Sequence, residues 1–334
     1  MSRNIVLCCD GTGNELADRS SNVVKLCHAL VRDEMRQAIF YNPGVGTVPV
    51  PELHGGVRTF VRKVRGLGFG YGITEDIKSA YRYLMNTYEP GDRVFFFGFS
   101  RGAYTARAVA GMVHRCGLLG RNNEPLVDYA YKAYREQFDG ELLERFRSTF
   151  SRPCKIAFLG AWDTVAAVGF WPESFPSTRH NPAIEVVRHA VSIDEVRAKF
   201  RTNLFGDVDG QDRKEVWFAG VHSDVGGGYP EAGLSNLALR WMAREAAQHG
   251  LLVNQADLPE GDANGMLHES LTGAWQVLEW LPLQRWNSSR KRRDFVFYRE
   301  QRRAIPDGAL VHASVFARQG YHPPNMPAHP TVER

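Results

Sequence analysis

Arg93-Val94-Phe95-Phe96-Phe97-Gly98-Phe99-Ser100-Arg101-Gly102-Ala103 is the stretch from which the fold is read. Arg93 to Phe97 is the strongest strand signal in the chain, and its apolar Val94 to Phe97 has the pattern of a strand buried on both faces. It passes directly into Gly98-Phe99-Ser100-Arg101-Gly102, which fits G-x-S-x-G, and Ala103 to Val113 continues as a helix. A serine on so sharp a strand-to-helix turn needs small neighbours two residues away on either side. Its hydroxyl then stands above a helix N-terminus, where the dipole favours developing negative charge. Ser100 is the expected nucleophile; a purely structural turn is the plain alternative.

Outward from this stretch, apolar runs alternate with helical patterns. Ile5 to Cys9 reads as a buried strand ending in the tight loop Asp10-Gly11-Thr12-Gly13-Asn14. Ser21 or Asn22 caps a helix whose Val23, Val24, Leu26, Cys27 and Leu30 recur at helical spacing. Ala38 to Tyr41 is a second strand. Thr74 caps a helix with Ile77, Ala80, Tyr81, Leu84 and Met85 on one face. Lys155 to Gly160, Val186 to Ile193 and Glu215 to Val221 are further strands, while 124–150 and Leu234 to Ala247 are helical. The alternation predicts an α/β fold, α/β-hydrolase-like, with a mostly parallel central sheet and helices on both faces. With no internal repeat or low-complexity linker, 1–334 reads as one domain. A Gly- and Pro-rich excursion at 48–72 is a lid or a surface loop, and 250–334 is less regular.

The 334 residues are 43% apolar and 23% charged, ordinary for a globular protein, and the net charge of +4 is too small to imply nucleic-acid binding. Five cysteines (Cys8, Cys9, Cys27, Cys116 and Cys154) match no zinc or redox spacing and read as reduced thiols. The first residues lack a signal-peptide layout and no apolar run nears the ~20 residues that span a bilayer, so the expectation is a cytoplasmic chain.

A serine hydroxyl is a poor nucleophile until a histidine can take its proton and an acid orients that histidine. His222 follows an apolar strand and precedes Gly-rich sequence, which puts it at the same sheet edge as Ser100. His268 and His312, in the tail, remain possible bases. Asp163, after the Lys155–Gly160 strand, is the expected acid; Asp194 competes, and Asp224 shapes the loop after His222. The oxyanion needs two backbone N–H donors, worth roughly 3 kcal/mol each. Arg101 supplies one and Gly11 or Thr12 the other, since glycine permits close backbone approach. No cofactor or metal is called for.

Four blocks carry a resemblance. Asp10-Gly11-Thr12-Gly13-Asn14, Gly98-Phe99-Ser100-Arg101-Gly102-Ala103, Trp162-Asp163-Thr164-Val165 and Gly220-Val221-His222-Ser223-Asp224-Val225-Gly226-Gly227-Gly228-Tyr229 occur in that order. Together they resemble an uncharacterised α/β-hydrolase family of bacterial and fungal proteins that includes the type VI secretion phospholipase effectors of the first lipase class. The resemblance implies a triad on Ser100, Asp163 and His222, and cleavage of acyl chains from phospholipids by some members. The chain is shorter than those effectors, so plain ester hydrolysis is the narrower expectation.

Arg290-Lys291-Arg292-Arg293, with Arg285, Arg299, Arg302 and Arg303 nearby, is the one concentrated basic stretch, interleaved with Trp286, Phe295, Phe297 and Tyr298. It reads as a solvated charged face or as a contact for anionic lipid headgroups across 285–303. The substrate expected is a small-molecule or lipid ester. Two other readings compete: a phosphoesterase or metal-dependent hydrolase built on Asp10 and Asp224, and a non-catalytic binding module on the same fold.

Overall fold

The computed structural model describes residues 2–11, 20–44, 71–138, 140–165, 175–198, 200–272, 276, 283–287, 292–296 and 301–334. Near one side of its sheet lie β1 (Asn4–Cys9) and β3 (Arg93–Phe99), with β2 (Gln37–Asn42) outside β1 as the edge strand. Across β3 follow β4 (Ile156–Trp162), β5 (Val186–Ser192), β6 (Asp212–Phe218), β7 (Leu310–His312) and β8 (Thr331–Glu333). The order is β8-β7-β6-β5-β4-β3-β1-β2, and every neighbouring pair is parallel. The expected α/β class with a parallel sheet is what the chain forms.

Alternation along the strands explains why both faces carry helices. Ile5, Leu7, Cys9 and Phe96 pack with α2 (Tyr71–Thr87), α3 (Arg101–Cys116) and α4 (Glu124–Arg135). Val6, Cys8, Phe95, Phe97 and Phe158 face the other way, onto α1 (Asn22–Ala29) and the later helix Gly233–Gln248. A strand buried on both sides must be apolar at every position, which is why the runs at 5–9 and 94–97 are unbroken.

The register places the candidate residues. Cys9 pairs with Gly98, Phe99 with Trp162, and Trp162 with Ala190. Asp10, Ser100 and Asp163 therefore leave the sheet side by side at its C-terminal edge. Strand order reverses between β1 and β3, and in open parallel sheets such a switch point opens a crevice for ligands.

Two expectations need correction. Thr74 does not cap α2: the helix begins at Tyr71, and the Thr74 hydroxyl lies 2.9 Å from that of Tyr131. The strand placed at Glu215–Val221 runs from Asp212 to Phe218, so Ala219–Val221 are left to turn the chain and His222 opens a short helix, His222–Gly226. The C-terminal segment keeps long irregular stretches but contributes strands. It adds β7 and β8 to the sheet and forms an antiparallel pair, Leu283–Asn287 with Arg292–Val296. Residues 48–70 of the proposed excursion lie outside the described residues.

Candidate active site

Ser100 stands at φ 58° and ψ −120°, a region that non-glycine residues rarely occupy. Two observations show why the flanking glycines are needed. A Cβ on Gly98 would lie 2.5 Å from the Ala103 nitrogen, and one on Gly102 would lie 2.1 Å from the Cys9 carbonyl oxygen. The turn is held from outside, with Ser100 N–H donating to the Trp162 carbonyl at 3.0 Å.

His222 reaches Ser100 from the helix that it opens. Its Nε2 lies 2.8 Å from Ser100 Oγ, and its Nδ1 lies 2.6 Å from Asp163 Oδ2. The ring packs between Phe99 and Phe200, with centroids 4.6 and 4.9 Å away. Burial lowers the affinity of His222 for a proton, and the Asp163 carboxylate opposes that shift only in part. At rest, then, the imidazole is neutral and can accept a proton.

Asp163 is fully buried and sits at φ 41°, another left-handed residue at a strand end. Its Oδ1 accepts from Ser192 N–H at 2.9 Å and from Arg303 Nη1 at 2.5 Å, while its Oδ2 accepts from Arg303 Nη2 at 3.0 Å besides His222. Burial alone would raise its pKa. The Arg303 guanidinium and the hydrogen bond from His222 outweigh it and hold the carboxyl well below the usual carboxylate range. Asp163 is an anion at any working pH.

A second buried ion pair borders His222. Glu195 accepts from Arg197 Nε at 2.9 Å and from Arg197 Nη2 at 2.8 Å, and Glu195 Oε2 also takes the His222 backbone N–H at 3.2 Å. Ser270 donates its hydroxyl to Glu195 Oε1 at 2.9 Å.

The other candidates have different partners. Asp194 accepts from Gly220 N–H at 2.7 Å and from the Tyr321 hydroxyl at 2.6 Å, away from His222. Asp224 Oδ2 takes the N–H groups of Val221 and His268, and Asp224 Oδ1 lies 2.6 Å from His268 Nδ1, so it ties the loop after His222 to the tail. Asp10 accepts from Gly11 N–H at 2.7 Å, the Ser21 hydroxyl at 2.6 Å and the Tyr41 hydroxyl at 2.9 Å. Gly11 thus spends its amide hydrogen on Asp10, and Thr12 lies outside the described residues. Arg101 follows Ser100 as the first residue of α3. Among the described residues, no group of three or more His, Cys, Asp or Glu side chains is arranged to hold a metal ion.

The family described as "T6SS, Phospholipase effector Tle1-like, catalytic domain" matches residues 3–245. The chain belongs to this family. It is 37% identical over 222 residues to an uncharacterized protein of Saccharomyces cerevisiae, covering 61% of this chain and 33% of that protein. A crystal structure of an uncharacterized protein from Pseudomonas aeruginosa is similar at 23% identity and TM-score 0.47, over 79% of this chain and 49% of the other. The Tle1 effector bound to the VgrG spike of the type 6 secretion system is similar at 19% identity and TM-score 0.37, over 68% and 51%. The chain thus spans a third of the curated relative and about half of each solved chain.

Residues 303, 268 and 270, which bond to Asp163, Asp224 and Glu195, all lie beyond the span matched to this family. Arg303 corrects the reading of the basic stretch. It is 7% exposed, because both its terminal nitrogens are used on Asp163, so it does not face lipid headgroups. The side chains of 285–300 lie outside the described residues. An arginine that satisfies a buried carboxylate 140 residues earlier leaves no local pattern by which sequence could reveal it.

Proposed function

We propose that the chain is a serine hydrolase that cleaves carboxylic esters, lipid acyl esters among them, through an acyl-enzyme on Ser100. The observation that carries this reading is the unbroken relay from Ser100 Oγ to His222 Nε2 at 2.8 Å and from His222 Nδ1 to Asp163 Oδ2 at 2.6 Å. Ser100 Oγ attacks the ester carbonyl as His222 Nε2 takes its proton; the imidazolium then gives that proton to the leaving alkoxide, and Asp163 stabilises the charge in between. Water repeats the sequence on the acyl-enzyme and releases the carboxylic acid. The oxyanion is met by the backbone N–H of Arg101 at the N-terminus of α3, with Thr12 as the second donor, since the Gly11 N–H is taken by Asp10. Membership of a phospholipase-effector family favours a lipid ester as substrate.

Asp10 suits a nucleophilic or metal-holding role poorly, since three donors already occupy its carboxylate. Contact with anionic membrane through 285–303 remains part of the proposal, without Arg303. All five cysteines are free thiols, as a reducing cytoplasm would keep them. No described helix is long and apolar enough to cross a membrane.

The test is turnover of p-nitrophenyl esters of graded acyl length and of phospholipid vesicles. Ser100→Ala is expected to remove turnover and fluorophosphonate labelling while the circular dichroism spectrum is kept. Turnover by the Ser100→Ala protein at the native rate would end this reading.

A further inference from the structure

The triad uses one face of Asp163, and the other is occupied by a side chain from the tail. Arg303 Nη1 donates to Asp163 Oδ1 at 2.5 Å and Nη2 to Asp163 Oδ2 at 3.0 Å, a two-pronged grip with no exposure to water on the Asp163 side. The guanidinium is itself aimed by its surroundings. Nη1 also reaches Ser192 Oγ at 2.7 Å and the Ser192 carbonyl at 3.2 Å, and Nη2 donates to the Phe200 carbonyl at 2.6 Å. The backbone is pinned beside it. Asn325 Nδ2 donates to the carbonyls of Arg303 and Ile193 at 3.0 and 3.1 Å, and Gln301 N–H donates to the Val196 carbonyl at 3.0 Å.

We propose that Arg303 is a positioning residue of the active site, which fixes the Asp163 carboxylate toward His222 and offsets the charge that His222 feels. The inference rests on the serine-hydrolase reading, and it makes the C-terminal segment, beyond the span matched to the family, a working part of the site. The physical reason lies in what a buried acid does to its neighbour. An uncompensated carboxylate 2.6 Å from Nδ1 would raise the affinity of His222 for a proton and so narrow the pH range over which the base is free. Paired with a guanidinium, the same carboxylate still accepts the Nδ1 hydrogen bond but exerts a weaker net field. A fork that binds both oxygens also prevents the carboxylate from rotating out of line, which a single donor would permit.

The charged groups facing His222 are Asp163 at the end of β4, Glu195 and Arg197 after β5, and Arg303 from the tail. Two residues along its own helix lies Asp224, which is taken up by His268. Glu195 is matched by Arg197, so Arg303 is the cation that matches Asp163.

The experiment uses the full chain as wild type, Arg303→Gln and Arg303→Lys. It follows the His222 imidazole by 15N NMR titration, alongside hydrolysis of p-nitrophenyl butyrate against pH. Arg303→Gln is expected to move the His222 titration upward by about one pH unit and to carry the acid limb of kcat/KM with it. Its kcat should fall about tenfold with KM unchanged, because alignment rather than binding is lost. Arg303→Lys should return the titration to near the wild-type pH, since the charge is back, while kcat stays low, since an ammonium cannot hold both oxygens. An unmoved His222 titration in folded Arg303→Gln overturns the proposal. Should that variant not fold, Arg303→Lys decides: wild-type kcat in that protein overturns the proposal, and a lowered kcat at unchanged KM supports it. Failure of the hydrolase reading looks different. The wild type then shows neither turnover nor fluorophosphonate labelling, while the His222 titration still reports whether Arg303 sets its environment.

Discussion

Ser100 at φ 58° and Asp163 at φ 41° are both held in a backbone region that costs a non-glycine residue on the order of 1–3 kcal/mol. That the two meet across one histidine is what makes the strain informative: each aims a polar side chain out of a strand end and into the same crevice. His222 between them is sealed by Phe99 and Phe200, and burial brings its proton affinity below the ordinary pKa of 6.5. A general base must be neutral to work, so a lowered pKa extends activity to lower pH. The acid limb of kcat/KM is expected to centre below pH 6.5, and a pH–rate profile with p-nitrophenyl butyrate measures it. A limb centred above 6.5 would contradict the burial argument. The same shift has a stability consequence. A histidine whose folded pKa is depressed contributes stability above its unfolded value of about 6.5, and this is lost as pH falls through the folded value. Asp163, also depressed, contributes above about pH 4 and loses its part at still lower pH.

Among the elements, α1 links the candidate site to the sheet. Ser21 caps it, accepting from Val24 N–H at 3.3 Å, and the same hydroxyl donates to Asp10 Oδ2 at 2.6 Å. One side chain therefore ends a helix and anchors the loop that follows β1, beside the Ser100 turn. Ser21→Ala is expected to lower the unfolding free energy in urea by about 1–2 kcal/mol, the usual cost of a lost cap with a buried partner left short of a donor. A variant as stable as wild type would show that Asp10 is held without it. Much at this scale was legible in sequence, for local reasons. An unbroken apolar run such as Ile5 to Cys9 or Val94 to Phe97 has few structures open to it, and Gly98 and Gly102 mark a turn that tolerates no Cβ. The His222 helix was not legible, because five residues carry too little periodicity. Nor were β7 and β8, since strands of three residues look like any tail segment until their partners are known. The start of α2 was missed for a different reason. Thr74 has the chemistry of a cap but spends its hydroxyl on Tyr131, and cap residues also occur inside helices.

For the molecule as a whole, the tail is the part that couples stability to the site. It is attached through a small separate core in which Val311 and Val315 pack with Val191, Ile193, Trp217 and Ala219. Lys214 adds an ion pair to Glu333 at 2.8 Å. From this attachment the chain leads back to Arg303 and its grip on Asp163. Elements with few buried contacts open first, and the two three-residue strands that end the sheet, β8 at the edge and β7 inside it, are of that kind. Val311 is fully buried on β7, so Val311→Ala removes two methyl groups from a filled site at a cost of about 2 kcal/mol. That cost falls on the tail, not on the rest of the sheet with its own two larger cores. In Val311→Ala, then, the proposed esterase activity is expected to be lost at a lower urea concentration than the far-ultraviolet circular dichroism signal, as the tail lifts and takes Arg303 with it while the sheet stands. Wild type should show a smaller gap between the two curves. Coincident curves in Val311→Ala would mean that tail and sheet unfold as one unit, and that the acid at position 163 is never released ahead of the rest.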